Sequence, residues 1–312
     1  MALREVGLRL AGTMKIGFSS LACPAWDLKT IVEQAASLGY DGVELRGLRG
    51  ELHLPIAPEL AGQPDDVRKL FSDHKIELVC LGASAVLTSS KSRELADQKG
   101  RIIEFIELAS RLGCPAVRIF VGDIERGDEP RACLSRMVET LASLVPVASR
   151  HNITILLENG GDFSGSQPLW FLADAVGHPL IRCCWNQCNA MTVGEKPTIS
   201  IPRLGAKIGL VHVCDASFDD HGILMERRPL GEGDTQIARQ IELLKGIIYR
   251  QYVIFEWPKL WVDSLSGPQD ALPQAVQFLR TKIEEKQDPL TAYKGDKHAP
   301  NLAPVPGTTP SA

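Results

Sequence analysis

The sequence predicts a single-domain (β/α)8 barrel, the α/β fold in which eight parallel strands alternate with eight helices. A short apolar segment is followed by an amphipathic segment eight times in about 270 residues, which is the length and alternation of this fold. The joints also repeat, because the Leu-Gly pair at Gly39 before strand 42–46 matches the pair at Gly113 before strand 116–122. Finally, four of the late strands end in polar residues, where such a barrel builds its site.

Periodicity and stop signals place each element. In the first helix, Leu28, Ile31, Val32 and Ala35 follow the i, i+3, i+4 pattern, and Gly39 ends it. The same reading along the chain predicts strand 15–20, helix 28–38, strand 42–46, helix 65–74, strand 75–82, helix 93–112, strand 116–122, helix 130–150, strand 152–159, helix 167–176, strand 180–186, helix 197–206, strand 207–215, helix 235–249, strand 252–257 and helix 270–285.

An open, doubly wound sheet is the alternative architecture. That fold usually carries a glycine-rich phosphate loop after its first strand, and the segment SSLACPAW after the first strand here has no glycine. The barrel is therefore assigned to 14–286. Residues 1–13 are expected to be an N-terminal extension, and the proline-rich segment 287–312 a disordered tail or an arm that lies on a neighbour.

Composition excludes several classes of function. The chain has 312 residues, 44% of them hydrophobic, and a formal charge of -4, so it can bury a large core but has no basic surface for nucleic acid. No apolar run approaches the length of a membrane span, and the first residues lack the apolar core of a signal peptide. We therefore expect a cytoplasmic protein with no nucleic-acid or membrane partner.

The eight cysteines contain no CxxC pair, which argues against a structural zinc site. Most are expected to be reduced thiols in the core, where cysteine behaves as a small hydrophobic residue.

Four strand-like segments end in residues that can bind a metal ion: Glu158, Asn186, His212 and Glu256. Isolated charges at the ends of buried strands are costly unless they are paired or metal-bound. In a barrel these ends meet at one mouth, so the pattern favours a metal-dependent enzyme. Asn186 is the weakest ligand of the four, since it offers a neutral carbonyl oxygen.

The motifs LLENGG at 156–161, CCWNQCNA at 183–190, VHVCD at 211–215, PLGEGD at 229–234 and FEWP at 255–258 resemble those of the xylose-isomerase-like TIM barrels, over about 15–285. This family includes sugar isomerases, ketose 3-epimerases and inosose dehydratases. The resemblance implies one divalent ion, Mn²⁺ first and Mg²⁺ or Co²⁺ next, held by Glu158, Asn186, His212 and Glu256. It also implies that Glu158 and Glu256 are the catalytic acid and base.

Two positions depart from the family pattern. Asn186 stands where the family has aspartate, which removes one negative charge from the ion's surroundings. Asn189 stands where many relatives have a substrate-binding histidine. Together they favour a divergent enzyme, or a protein that has lost its metal, over a standard epimerase.

Residues beside the expected mouth are candidates for substrate binding. Aromatic faces suit sugar rings, and the arginines and polar groups suit hydroxyl or carboxylate groups. The predicted substrate-binding residues are Trp26, Arg46, His53, Trp185, Asn189, Asp215, Arg228 and Trp257.

These observations predict an isomerase or epimerase that acts on a keto-sugar or polyol derivative through an enediolate. The first alternative is a lyase that expels water or a glycosidic group from a keto-sugar or 3-keto-glycoside, because it uses the same base. The second, from another class, is a metal-free sugar-binding barrel. An endonuclease of the same family would need further histidines that are absent. The expected partner is a small carbohydrate, and homo-oligomerisation stays open.

Overall fold

The computed structural model describes residues 13–285. Within them, eight parallel strands close into a barrel whose neighbours follow the order β1-β10-β7-β6-β5-β4-β3-β2. The predicted (β/α)8 barrel is confirmed. The expected N-terminal extension and C-terminal tail fall almost wholly outside the described residues.

The strands, in chain order, are β1 Lys15–Ser19, β2 Gly42–Leu45, β3 Glu77–Val86, β4 Ala116–Phe120, β5 Thr154–Glu158, β6 Ile181–Asn186, β7 Ile208–Val213, β8 Asp215–Phe218, β9 Leu224–Arg228 and β10 Tyr252–Phe255. The helices are α1 Leu28–Leu38, α2 Pro58–Ala61, α3 Pro64–Asp73, α4 Ser92–Leu112, α5 Pro130–His151, α6 Ser166–Val176, α7 Gln187–Met191, α8 Pro197–Leu204, α9 Ile237–Gly246 and α10 Pro268–Glu284. None of these helices is long and apolar enough to cross a bilayer.

The structure contains three features that were not predicted: the short helices α2 and α7, and a hairpin after β7. Strands β8 and β9 pair antiparallel as a separate hairpin after β7, where the sequence suggested a long loop. The alternation in LMERR is too polar to be recognised as a strand, because both of its faces carry charged side chains.

The barrel interior is built in layers by the two-residue period of the strands. An apolar layer contains Cys80, Ala116, Leu156, Cys184, Leu210 and Ile254, all buried. Two residues further along the same strands lie Gly82, Arg118, Glu158, Asn186, His212 and, just past β10, Glu256. We call these six residues, together with Glu44 of β2, the polar layer. It lies at the carboxyl ends of the strands.

The eight cysteines are all buried and free, as expected. Most act as small hydrophobic residues, and burial raises the pKa of Cys183 and Cys184 to about 12. Both thiols are therefore neutral near pH 7.

Two glycines give a matched test of the barrel packing. A Cβ atom at Gly17 of β1 would lie 2.6 Å from Ile254 Cδ1 and 2.7 Å from the Gly42 carbonyl oxygen. A Cβ at Gly100, inside α4, would meet nothing within 4 Å. We predict that Gly17→Ala lowers the free energy of unfolding by about 1–3 kcal/mol through overpacking. The control Gly100→Ala should raise it by up to about 1 kcal/mol. Urea denaturation measures both, and equal effects would contradict the packing described.

Candidate functional site

His212 lies at the centre of the polar layer. Its Nε2 is 2.6 Å from Glu44 Oε2, and its Nδ1 is 2.9 Å from Glu158 Oε1. Nδ1 is also 3.8 Å from Glu256 Oε1. Burial alone would lower the pKa of His212, but its neighbours, Glu44 and Glu158 among them, raise it well above the usual range. Without a bound cation, the imidazole is therefore a buried positive charge that links carboxylates on three strands.

Arg118 is a second cation in this layer. It is fully buried, and its Nε lies 3.1 Å from Glu158 Oε2 while its Nη2 lies 3.5 Å from Glu44 Oε1. Gly82 makes room for it, because a Cβ there would be 2.9 Å from Arg118 Nη2. The two glutamates therefore share two cations, Arg118 and His212. Such a network is costly to break, since removing one partner of a buried pair typically costs about 3–5 kcal/mol.

Asn186 bridges the two predicted catalytic carboxylates. Its Nδ2 donates to Glu158 Oε1 at 3.0 Å and to Glu256 Oε2 at 2.9 Å. Its Oδ1 accepts from the Cys188 backbone N–H at 3.2 Å, which caps α7. The backbone of Asn186 is held in turn by Asn159, whose Oδ1 and Nδ2 bond its N–H and C=O. The amide therefore presents hydrogen-bond donors to the carboxylates.

The two carboxylates have opposite ionisation tendencies. Burial disfavours the charged form of Glu158, but His212 and Arg118 outweigh it and lower its pKa to about 2. For Glu256, burial and the nearby Glu158 charge raise the pKa. Glu256 is also the less enclosed of the two, with 13% of its side chain exposed against 0% for Glu158. The layer thus combines an ionised inner carboxylate with an outer one that holds a proton more readily.

His212 lies close to two of the other predicted metal ligands, Glu158 and Glu256. Two atoms that bind the same metal ion through bonds of about 2.1 Å lie roughly 3 Å from each other. For comparison, His212 Nδ1 is 2.9 Å from Glu158 Oε1 and 3.8 Å from Glu256 Oε1. The bond from His212 Nε2 to Glu44 is the arrangement that orients a metal-binding imidazole. The fourth, Asn186, fits only if its amide rotates to turn Oδ1 inward, which breaks the cap on α7. Glu158, Cys184 and His212 also place ligand atoms within 4.8 Å of one another, a grouping that suggests a divalent metal.

A second cluster lies beside Asn186. Arg227 Nη1, from the β8–β9 hairpin, is 2.9 Å from Cys188 Sγ and 3.0 Å from Cys214 Sγ. Cys214 Sγ is 3.8 Å from Asn186 Oδ1. The hairpin therefore covers the side of the site where Asn186 lies.

The remaining predicted substrate residues divide into two groups. The first group lies beside the site. Arg46 lies near the polar layer, because a Cβ at Gly82 would be 2.6 Å from its Cδ. Asn189 Nδ2 donates to the Asn159 carbonyl at 2.8 Å.

The other predicted substrate-binding residues have partners elsewhere. Trp185 is fully buried and bonds Gln187, Trp257 is buried and bonds the Ser266 carbonyl, and Trp26 packs on the outer core. His53 pairs with Glu104, Arg228 pairs with Glu226, and Asp215 accepts from the backbone N–H groups of Gly231, Gly233 and Thr235.

Sequence reasoning did not place Glu44, Arg118 or Arg227 among the site residues. Glu44 had a usable signal, since a charged residue stands between Val43 and Leu45 in a strand with four buried residues. Arg227 had none, because its position depends on the unpredicted hairpin.

Residues 32–282 match the sequence profile of the family described as "Xylose isomerase-like TIM barrel". Solved structures with the same fold include the zinc-bound IOLI protein, at TM-score 0.75 and 18% identity, covering 86% of this chain and 98% of that one. D-psicose 3-epimerase, solved in the presence of D-fructose, matches at TM-score 0.71 and 17% identity, over 87% and 100% of the two chains. The probable 3-DHS dehydratase AsbF of Bacillus anthracis matches at TM-score 0.70 and 18% identity, over 86% and 99%.

We predict that Asn186→Asp changes stability in opposite directions with and without metal. Without added metal, a third carboxylate beside Glu158 and Glu256 should lower the melting temperature by several degrees through like-charge repulsion. With Mn²⁺, the same carboxylate should tighten binding about tenfold or more, because it supplies an anionic ligand.

Calorimetric titration and thermal melts measure the two effects. The matched control is Asn189→Asp, which adds a charge nearby on a side chain that bonds Asn159 instead of the carboxylates. Unchanged Mn²⁺ affinity in Asn186→Asp, or an equal gain in the control, would mean that position 186 does not face the ion.

Proposed function

The chain belongs to the xylose isomerase-like TIM barrel family, and from this premise we propose that it is a divalent-metal-dependent isomerase or epimerase of a keto-sugar or polyol derivative. The reaction is proton transfer at a carbon next to a carbonyl. The single observation that carries the proposal is the pair Glu158 and Glu256, joined by Asn186 and pushed toward opposite ionisation states. Two carboxyl groups whose environments separate their pKa values are the usual mark of an acid and base pair.

The pair divides the work of proton transfer. Glu158 starts ionised, and its Oε2 has no well-aligned hydrogen bond, so it serves as the base that accepts the substrate proton. Glu256, whose side chain is partly exposed, serves as the acid that returns a proton. In the reverse direction the two roles exchange.

His212 and Arg118 keep this pair in place. Their contacts with Glu158 hold its carboxylate in one orientation, and Glu44 balances their charge. Glu158, His212 and Glu256 would hold the divalent ion, with Asn186 as a neutral fourth neighbour. When bound, such an ion polarises a carbonyl and stabilises negative charge on its oxygen. Mn²⁺ is the ion we expect first.

Two other functions each have a supporting observation. A lyase that expels water or a glycosidic group from a keto-sugar would use Glu158 as the same base, and the raised pKa of Glu256 suits an acid that protonates the leaving oxygen. A metal-free sugar-binding barrel is supported by the Asn186 amide, which already donates to both carboxylates. A cytoplasmic location stays a prediction, and homo-oligomerisation stays open.

We predict that the protein with Mn²⁺ exchanges substrate C–H protons with solvent. Incubation in deuterated water with a panel of ketoses and 3-keto-glycosides, followed by NMR, should detect deuterium next to the carbonyl of one member. Glu256→Gln should slow this exchange by about a hundredfold or more, because the amide cannot transfer a proton.

The control is Glu139→Gln, which removes the same charge from the exposed face of α5. A rearranged product indicates the isomerase, and loss of water or of an alcohol indicates the lyase. Binding without exchange by any member indicates the binding barrel and contradicts the proposal. Wild-type exchange rates in Glu256→Gln would remove this residue from the mechanism.

A further inference from the structure

Arg46 is a buried cation that makes no ion pair among residues 13–285, although the charges of Glu44, Glu158 and Glu256 act on it from a longer distance. Arg46 stands two residues after Glu44 and lies on the same face of the β2 segment. Only 4% of its surface is exposed. Its chain lies over Gly82, where a Cβ would be 2.6 Å from Arg46 Cδ. The guanidinium therefore lies next to the polar layer, on the side of the barrel mouth.

Most of its hydrogen-bonding capacity is unused. Nη2 donates to Ser84 Oγ at 2.8 Å, but Nε and Nη1 are buried and have no hydrogen-bond partner among residues 13–285. Within the same residues, Arg46 makes no ion pair. An unpaired buried guanidinium is expensive, since a charge removed from water needs a compensating partner.

Its neighbours are arranged to accept a ligand. The Trp261 ring lies 5.5 Å from Arg46 Cζ and is 52% exposed, so it covers the guanidinium from the solvent side. Ser84 is exposed at the other edge. Arg118 is paired with Glu44 and Glu158, and Arg227 Nη1 contacts two cysteine sulfurs. Arg46, by contrast, has two buried nitrogens without a hydrogen-bond partner and no ion pair among residues 13–285.

We propose that Arg46 binds a carboxylate group of the substrate, so that the protein acts on a sugar acid or another keto acid with several hydroxyl groups in preference to a neutral sugar. This inference rests on the proposed function, since it names the substrate class of that site. The free Nη1 donates to a carboxylate oxygen, and the single negative charge of that carboxylate compensates the positive charge of Arg46, which no ion pair among residues 13–285 balances.

A phosphoryl group fits this position less well. It carries close to two negative charges and several acceptor oxygens, which call for more than one cation or a group of backbone amides. Arg46 offers one positive charge and two free nitrogens. Phosphorylated sugars therefore form a separate arm of the test.

The test compares affinities across matched six-carbon ligands. Calorimetry with the full chain and Mn²⁺ uses ketohexoses, the corresponding keto acids (5-keto-gluconate, fructuronate and tagaturonate) and fructose 6-phosphate. At least one keto acid should bind about tenfold or more tightly than every neutral ketose. Arg46→Met should lower the ratio of keto-acid affinity to ketose affinity by about tenfold to a hundredfold, the usual value of a hydrogen-bonded charge pair.

Two further variants make the result decisive. Arg150→Met removes the same charge from the exposed end of α5 and should keep the preference. Arg46→Lys keeps the charge but loses the planar donor set, so it should retain part of the preference, and it carries the test if Arg46→Met does not fold. Thermal melts check folding.

Three results would each overturn the inference. Either no keto acid binds more tightly than a neutral ketose, or Arg46→Met keeps the full preference, or the phosphate ester binds most tightly of all. Solvent exchange measured on the same samples separates this result from the proposed function. Preference for keto acids without any exchange contradicts the reaction but supports the role of Arg46. Exchange on neutral ketoses without a preference for keto acids supports the reaction but contradicts the role of Arg46.

Discussion

The structure depends on keeping ionised carboxylates inside a closed barrel. Glu44 and Glu158 are wholly buried, and each is met by both Arg118 and His212, so charge is balanced within the protein's own side chains. These four groups come from strands β2, β4, β5 and β7, and no two of them come from the same strand. Their mutual contacts therefore require the closed sheet, and the sheet in turn could not hold any one of these charges alone.

Asn186 gives the site its particular character. A carboxylate at this position would add a third anion beside Glu158 and Glu256, and a cation would be needed to hold the three together. The amide instead donates to both, so the polar layer is closed by hydrogen bonds whether or not an ion is bound. A divalent ion bound at this position would have to displace these bonds, so we expect Asn186 to affect metal affinity as well as fold stability.

The sequence predicted the barrel well because its signal is repeated in eight units, and the strand-end residues well because polar groups are conspicuous at the ends of apolar segments. The direction in which a side chain points was harder to predict from the sequence. Trp185 lies between Cys184 and Asn186, whose side chains face the barrel interior. Because side chains alternate along a strand, the Trp185 side chain points into the outer core. Its position near the mouth does not by itself reveal this direction. The charge of Glu44 in an apolar strand was a usable signal, but its role depends on His212, which β7 brings next to it. The contacts of Arg227 depend on a polar hairpin whose sequence lacks a strand-like period.

The central claim is that Glu158, His212 and Glu256 form one divalent-cation site whose fourth neighbour is a neutral amide. Anomalous X-ray diffraction from crystals of the full chain grown with Mn²⁺ tests it most directly, because it locates the ion independently of protein geometry. The account predicts one manganese peak at the carboxyl ends of the strands, within about 2.3 Å of oxygen or nitrogen atoms of all three residues. A polar layer with no peak, and with Asn186 still bridging the two glutamates at millimolar Mn²⁺, would contradict it.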